Sequence, residues 1–157
     1  MPKDFPLRWE PIYDDPVFLE KYANFLKAFA KRYDGSQAVA FVDIGSLGIY
    51  GEGHTASTTR LSREETERLA RIHVALWRRL LPRTQLVISD DVAGSGGQEA
   101  EAPLMKYARE HGVGYRDDSI FCMDPTPAPN HPDGSWAHAH WARGFASHSP
   151  VVIEHGH

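Results

Sequence analysis

Two glutamates stand where chemistry would need them. Glu52 sits in the glycine-rich segment Gly48-Ile49-Tyr50-Gly51-Glu52-Gly53-His54-Thr55, and Glu154 ends the apolar run Val151-Val152-Ile153-Glu154. Paired carboxyl groups flanking a glycosidic bond can cleave it: one delivers a proton to the leaving oxygen while the other attacks the anomeric carbon or activates water. Glycines around Glu52 let backbone come close to a ligand, and Tyr50 offers an apolar platform for a sugar face. A lone Glu in such a loop is more often a capping or solvated residue. The spacing argues for more, because two intervening βα units place Glu52 and Glu154 three strands apart, over one mouth if the sheet closes into a barrel.

A second tier of polar residues surrounds this pair. Asp90, Asp91, Arg116, Asp117 and Asp118 follow or end apolar runs and could hold sugar hydroxyls through charge-assisted hydrogen bonds, with Arg116 bridging two carboxylates. A structural ion-pair network at the rim is the equally open alternative. His54, His155 and His157 could orient a carboxylate or contact substrate, and with Asp117 could make a metal site. No His-Glu-x-x-His or paired-cysteine pattern supports the metal, and His138-x-His140 on a helix would point its rings to different faces, so neither metal nor cofactor is assigned. Trp136 and Trp141 are expected to pack rather than to stack on ligand, and Cys122 has no neighbouring base that would make it a nucleophile.

The elements that must position these residues alternate. Asp15 caps a helix whose first residue is Pro16, Phe18, Tyr22, Phe25 and Phe29 share one face, and Asp34-Gly35 closes it. Ala38 to Ile44 reads as a buried strand. Ser62 and Glu65 form a capping box before the stripe Leu69, Ile72, His73, Leu76 and Leu80, which stops at Pro82. Strand Gln85–Ser89, helix Leu104–Glu110, strand Val113–Arg116, a helix around Trp136–Phe145 and strand Val151–Glu154 repeat the beat. Asp124 to Pro132 holds four prolines and must be a loop. About four parallel βα units in one domain, residues 1–157, argue for an α/β fold, open and doubly wound or closed as a barrel. No Gly-x-Gly-x-x-Gly or Walker loop follows a strand, whereas polar residues follow every strand, so a partial TIM (β/α)8 barrel is the better reading. A complete barrel needs about 250 residues, which makes this chain roughly half of one.

Composition narrows the partners. With 41% hydrophobic residues the chain can build a core, and its net charge of −4 with scattered basic residues argues against nucleic acid or an anionic membrane. One cysteine precludes an internal disulfide, and neither a signal peptide nor a membrane-length apolar run is present, which leaves a soluble chain of open localisation.

The segments FVDIGSLGIYGEGHT (Phe41 to Thr55), VISDDVAG (Val87 to Gly94), GYRDDSI (Gly114 to Ile120) and PVVIEHGH (Pro150 to His157) resemble the β-galactosidase-like barrels of the retaining glycoside hydrolase clan A, in the branch called domain of unknown function family 4832. The resemblance covers most of the chain. It implies strands four to seven of the family barrel, with Glu52 as acid/base and Glu154 as nucleophile; Asp43 is the alternative holder of the first role. The expected function is glycoside hydrolysis, with Tyr50, His54, Asp90, Asp91, Arg116, Asp117, Asp118 and His155 as substrate contacts. A non-catalytic carbohydrate-binding barrel, an inactive fragment and, less favoured, a metal-dependent hydrolase are the rival readings. A half barrel with exposed edges would also self-associate.

Overall fold

The computed structural model of the chain describes residues 10–48, 50–53, 61–93, 103–120 and 139–155, with backbone alone at 93, 118–120, 139–141, 154 and 155. Helix α1 spans Pro16–Tyr33 and starts where the capping chemistry says it should: the Asp15 carboxylate accepts from the amides of Val17 and Phe18 at 2.8 and 3.0 Å. Lys31 and Arg32 in its last turn complement the dipole. Phe18, Tyr22 and Phe29 pack against the core as their spacing predicts, but Phe25 lies exposed at the margin of that arc and Leu26 takes the fully buried place. At the helix end, Asp34 accepts from the Arg83 and Thr84 amides and the Thr84 hydroxyl at 2.9–3.0 Å, pinning α1 to the start of the second strand.

Helix α2, Arg63–Leu80, carries the complete capping box, with Glu65 N–H donating to Ser62 Oγ at 3.2 Å and Ser62 N–H donating to the Glu65 carboxylate at 2.9 Å. Thr66, Leu69, Ala70, His73, Val74, Leu76 and Trp77 are its buried residues. Trp77 Nε1 donates to the Tyr22 hydroxyl at 3.0 Å, which locks α2 onto α1. Helix α3 covers Pro103–Glu110 and α4 covers Ala139–Ala146.

Among the described residues the strands are β1 (Val42–Asp43), β2 (Leu86–Ser89), β3 (Val113–Ile120) and β4 (Val151–His155), and a short 3-10 turn, Asp90–Ala93, follows β2. They form one all-parallel sheet in the order β1-β2-β3-β4, curled as a half-barrel. A doubly wound sheet would reverse its order at a switch point; among the described residues none occurs, and the core side chains of the helices pack on one face of the sheet. Leu86, Ile88, Val113 and Tyr115 on that face join Leu69, Val74, Trp77, Leu104, Met105 and Phe145 of the helices in a single core.

Two strand expectations are corrected. The run Ala38–Ile44 pairs only at Val42–Asp43, because β2 begins at the partner of Val42, Leu86, and the residues before it have no strand beside them. The third strand extends beyond Arg116 to Ile120, being flanked by β2 on one side and β4 on the other, with a register irregularity between Asp117 and Ile120.

His73 occupies the centre of the α1/α2 interface, only 1% exposed and ringed by Tyr13, Phe18 and Tyr22. Its Nε2 lies 2.9 Å from the Tyr13 carbonyl oxygen, which can only accept, so Nε2 carries the proton and the neutral ring satisfies the contact. Burial holds its pKa below the ordinary 6.5, the Tyr13 carbonyl and Asp14 opposing only in part. The unfolded chain takes up this proton as pH falls through 6.5 while the native chain does not, so the stabilisation is complete above that pH and is lost below it. Denaturant midpoints measured from pH 7.5 to about pH 5 should fall in the wild type and fall less in His73→Gln. Parallel curves for the two proteins would remove His73 as the cause.

Candidate functional site

Residues in register on parallel strands share a face. Asp43 pairs with Val87, Val87 with Gly114, Ser89 with Arg116, and Arg116 with Val152, so Asp43, Ser89 and Arg116 lie on the inner face, away from the helices. Between them β2 contributes the short Ser89 and β3 contributes Gly114, which leaves the long Arg116 side chain a path across the sheet. Its Nε comes within 2.9 Å of Asp43 Oδ2 and its Nη2 within 3.4 Å of Glu52 Oε1. The Arg116 side chain is 12% exposed, against 32% for the Asp43 and 25% for the Glu52 side chain. The cation is therefore nearly desolvated, and the two carboxylates reach water.

Glu52 arrives from the loop after β1, whose shape depends on backbone angles that glycine tolerates. Gly51 and Gly53 have φ of 80° and 84°; a Cβ would lie 2.8 Å from Gly45 Cα at the first and 2.5 Å from Val92 Cα at the second. The loop is tied at its start, where the Gly48 amide donates to the Tyr13 hydroxyl at 2.8 Å, and at its end, where the Gly53 amide donates to the Leu47 carbonyl at 2.9 Å. Tyr13 itself donates to Glu10 at 3.0 Å, and its phenol is pushed up to about 12 chiefly by burial, with the Gly48 amide opposing and Glu10 reinforcing. Tyr50 also adopts a left-handed φ of 60°, which costs an L residue about 1–2 kcal/mol relative to its usual basins, while its side chain is 75% exposed.

A second polar cluster lies on the opposite face. Tyr115 donates to Asp117 Oδ2 at 3.1 Å and approaches Asp90 Oδ2 at 3.5 Å, with its ring against Phe145 at 5.5 Å. Burial, then the two carboxylates, hold this phenol well above the ordinary tyrosine range, so it stays a proton donor. Asp90 and Asp117 are 1% and 5% exposed. They sit between sheet and helices and bind Tyr115 there.

The structure thus brings Glu52 and Arg116 together and adds Asp43, but places Asp90 and Asp117 on the other side of the sheet. Arg116 bridges two carboxylates, but they are Asp43 and Glu52, not the rim aspartates among which the bridge was expected. Asp91 is half-buried, its amide 3.3 Å from Ser89 Oγ. Asp118, Glu154 and His155 are placed by backbone only, the first in β3 and the others in β4, next to Ile153, which pairs with Asp117. Their side chains, like His54, Cys122, Trp136, His138 and His157, lie outside the described residues. Sequence reasoning missed Tyr13 and Ser89, whose parts in the site come from tertiary contacts and register that no local motif marks.

Among the described residues, no group of three His, Cys, Asp or Glu side chains could hold a metal ion, and no helix is long and apolar enough to cross a membrane. Comparison with protein-family models, with curated proteins and with solved structures finds no match to this chain.

Proposed function

We propose that the chain contributes strands four to seven of a TIM-type (β/α)8 barrel of the β-galactosidase-like kind, and that its rim is a carbohydrate site in which Glu52 and Glu154 act on a glycosidic bond. The observation that carries this reading is the convergence of Asp43, Glu52 and Arg116 on the inner face, toward the C-terminal ends of parallel strands, where barrels build their sites. Asp43 makes the shorter ion-pair contact with Arg116. Glu52 is oriented by the same cation at 3.4 Å and keeps access to water, as a residue that must give up and regain a proton requires. Glu154 supplies the second carboxyl from β4, three strands away.

The test is release of aryl alcohol and reducing sugar from a panel of aryl β-glycosides and β-linked disaccharides, with Glu52→Gln and Glu154→Gln beside the wild type. Turnover that both substitutions remove supports the reading. Turnover that survives both contradicts it. Binding without turnover by the wild type selects the carbohydrate-binding reading instead.

The proposal extends to self-association. Among the described residues, β1 and β4 each have one strand neighbour, and exposed Phe41 and Ile153 lie at those two margins. The expected result of size-exclusion chromatography with light scattering at micromolar concentration is a dimer or larger species. A stable monomer at every concentration would count against it.

A further inference from the structure

Tyr13 reaches two places at once. Buried in the turn before α1, it accepts the Gly48 amide on its hydroxyl at 2.8 Å, while its backbone carbonyl oxygen accepts from His73 Nε2 at 2.9 Å. One residue thus joins the start of the loop that carries Glu52 to the centre of the α1/α2 interface. His73 suits that centre only as a neutral ring: it is fully enclosed, and its Nδ1 is buried with no hydrogen-bond partner among the described residues. A proton on Nδ1 would create a buried cation and, at the same atom, a buried donor with no acceptor.

The titratable and charged groups that face His73 do not relieve this. The turn before α1 contributes the Tyr13 phenol, which stays protonated, and Asp14, which favours the cation but is held by Arg68 of α2 at 2.7 Å. Helix α1 contributes the Tyr22 hydroxyl, which accepts from Trp77 Nε1. Glu10 accepts from the Tyr13 hydroxyl at 3.0 Å. Water is the remaining acceptor. Of the three aromatic rings around His73, Phe18 and Tyr22 belong to an 18-residue helix, whereas Tyr13 belongs to a short turn, so water reaches an imidazolium at lowest cost by the opening of that turn. Opening withdraws the Tyr13 hydroxyl from Gly48.

We propose that Tyr13 is a positioning residue for the loop that carries Glu52, and that His73 makes its hold on that loop depend on pH: in mild acid the turn opens and Gly48 loses its acceptor. The consequence for sugar chemistry rests on the carbohydrate reading above; the coupling of turn to loop does not.

Amide hydrogen exchange on the whole chain, without sugar, reads the coupling residue by residue. An opened turn returns His73 to its ordinary 6.5, so each pH unit below that value favours opening by up to about tenfold. Between pH 7.5 and 5.5 the protection of the Gly48 amide, corrected for intrinsic exchange, is expected to fall about tenfold, while that of Ile44, bonded to the Val87 carbonyl in the sheet, changes less than about twofold. His73→Gln, which keeps a donor and does not titrate, should hold Gly48 within about twofold over the same range, and Glu10→Gln should retain the wild-type fall. Tyr13→Phe should leave Gly48 poorly protected at both pH values with Ile44 unaffected. Wild-type protection of Gly48 that ignores pH, or that falls in step with Ile44, overturns the coupling without any variant. So does a fall that persists in His73→Gln or vanishes in Glu10→Gln. Protection that survives Tyr13→Phe overturns the positioning role. None of these outcomes involves turnover, so the hydrolase reading stands or falls separately on the glycoside assay.

Discussion

Glu52→Gln is expected to lower turnover of a susceptible β-glycoside by about 10²–10⁴-fold, the range for losing a positioned proton donor, with little change in sugar affinity. Gln keeps the size of the side chain and can still face Arg116 through its carbonyl oxygen, but it has no acidic proton to deliver. Glu154→Gln should cost at least as much, since an amide at the end of β4 cannot attack the anomeric carbon. The two losses should be far from additive, because each glutamate serves the same bond cleavage. Turnover measured with both single variants and the double variant checks this: a double variant no worse than the poorer single one fits, and two multiplying losses mean that the residues act on separate steps. A module that only binds sugar would show unchanged affinity and no turnover to lose.

Arg116→Met is expected to be the most destabilising single substitution at the site, by about 2–4 kcal/mol, because it removes the cation between two carboxylates and leaves like charges facing one another. The partial exposure of the Asp43 and Glu52 side chains, 32% and 25%, puts the loss toward the lower part of that range. Urea denaturation of Arg116→Met with Asp43→Asn and Glu52→Gln as partners gives the two coupling energies. The Arg116–Asp43 coupling should exceed that of Arg116–Glu52, following the 2.9 and 3.4 Å separations. A total loss below about 0.5 kcal/mol would mark the cluster as an ordinary solvated ion pair. Arg116→Met should also impair turnover, since Glu52 would lose the contact that orients it.

The elements were legible wherever the determinant was local. Asp15 before Pro16, Ser62 with Glu65, and the glycine after the third helix each act within a few residues, and each helix begins or ends where those residues put it. The apolar runs at β2 and β4 were equally plain, and consecutive strands lie side by side in the sheet, as is usual for successive elements. The length of β1 was not, because pairing stops where β2 begins and that register is invisible in Ala38–Ile44 alone.

The site divides in the same way. Glu52, Tyr50 and Arg116 stand out as polar or aromatic residues beside glycines or in an apolar run. What could not be read was which of them meet. Arg116 and Asp117 are neighbours in sequence, but β3 continues to Ile120, and the alternation of a strand sends one to the inner face and the other toward Tyr115 and the helices. Ending the strand at Arg116 had made the two look like one rim cluster. Asp43, by contrast, lies 73 positions before Arg116 and joins it only because β1, β2 and β3 lie side by side. His73 shows the same limit: its stripe position signals burial, and the Tyr13 carbonyl that satisfies it belongs to a turn 60 residues earlier.

The separation of the Glu52 and Glu154 carboxyl groups in a crystal structure of the chain, determined with a neutral glycoside bound, addresses the shared mouth directly. A distance of about 5 Å, with the sugar between Tyr50 and the two carboxyls, is the result expected for a retaining pair. Carboxyls well beyond about 10 Å apart, or on opposite faces of the sheet, could not act on one glycosidic bond and would contradict the account.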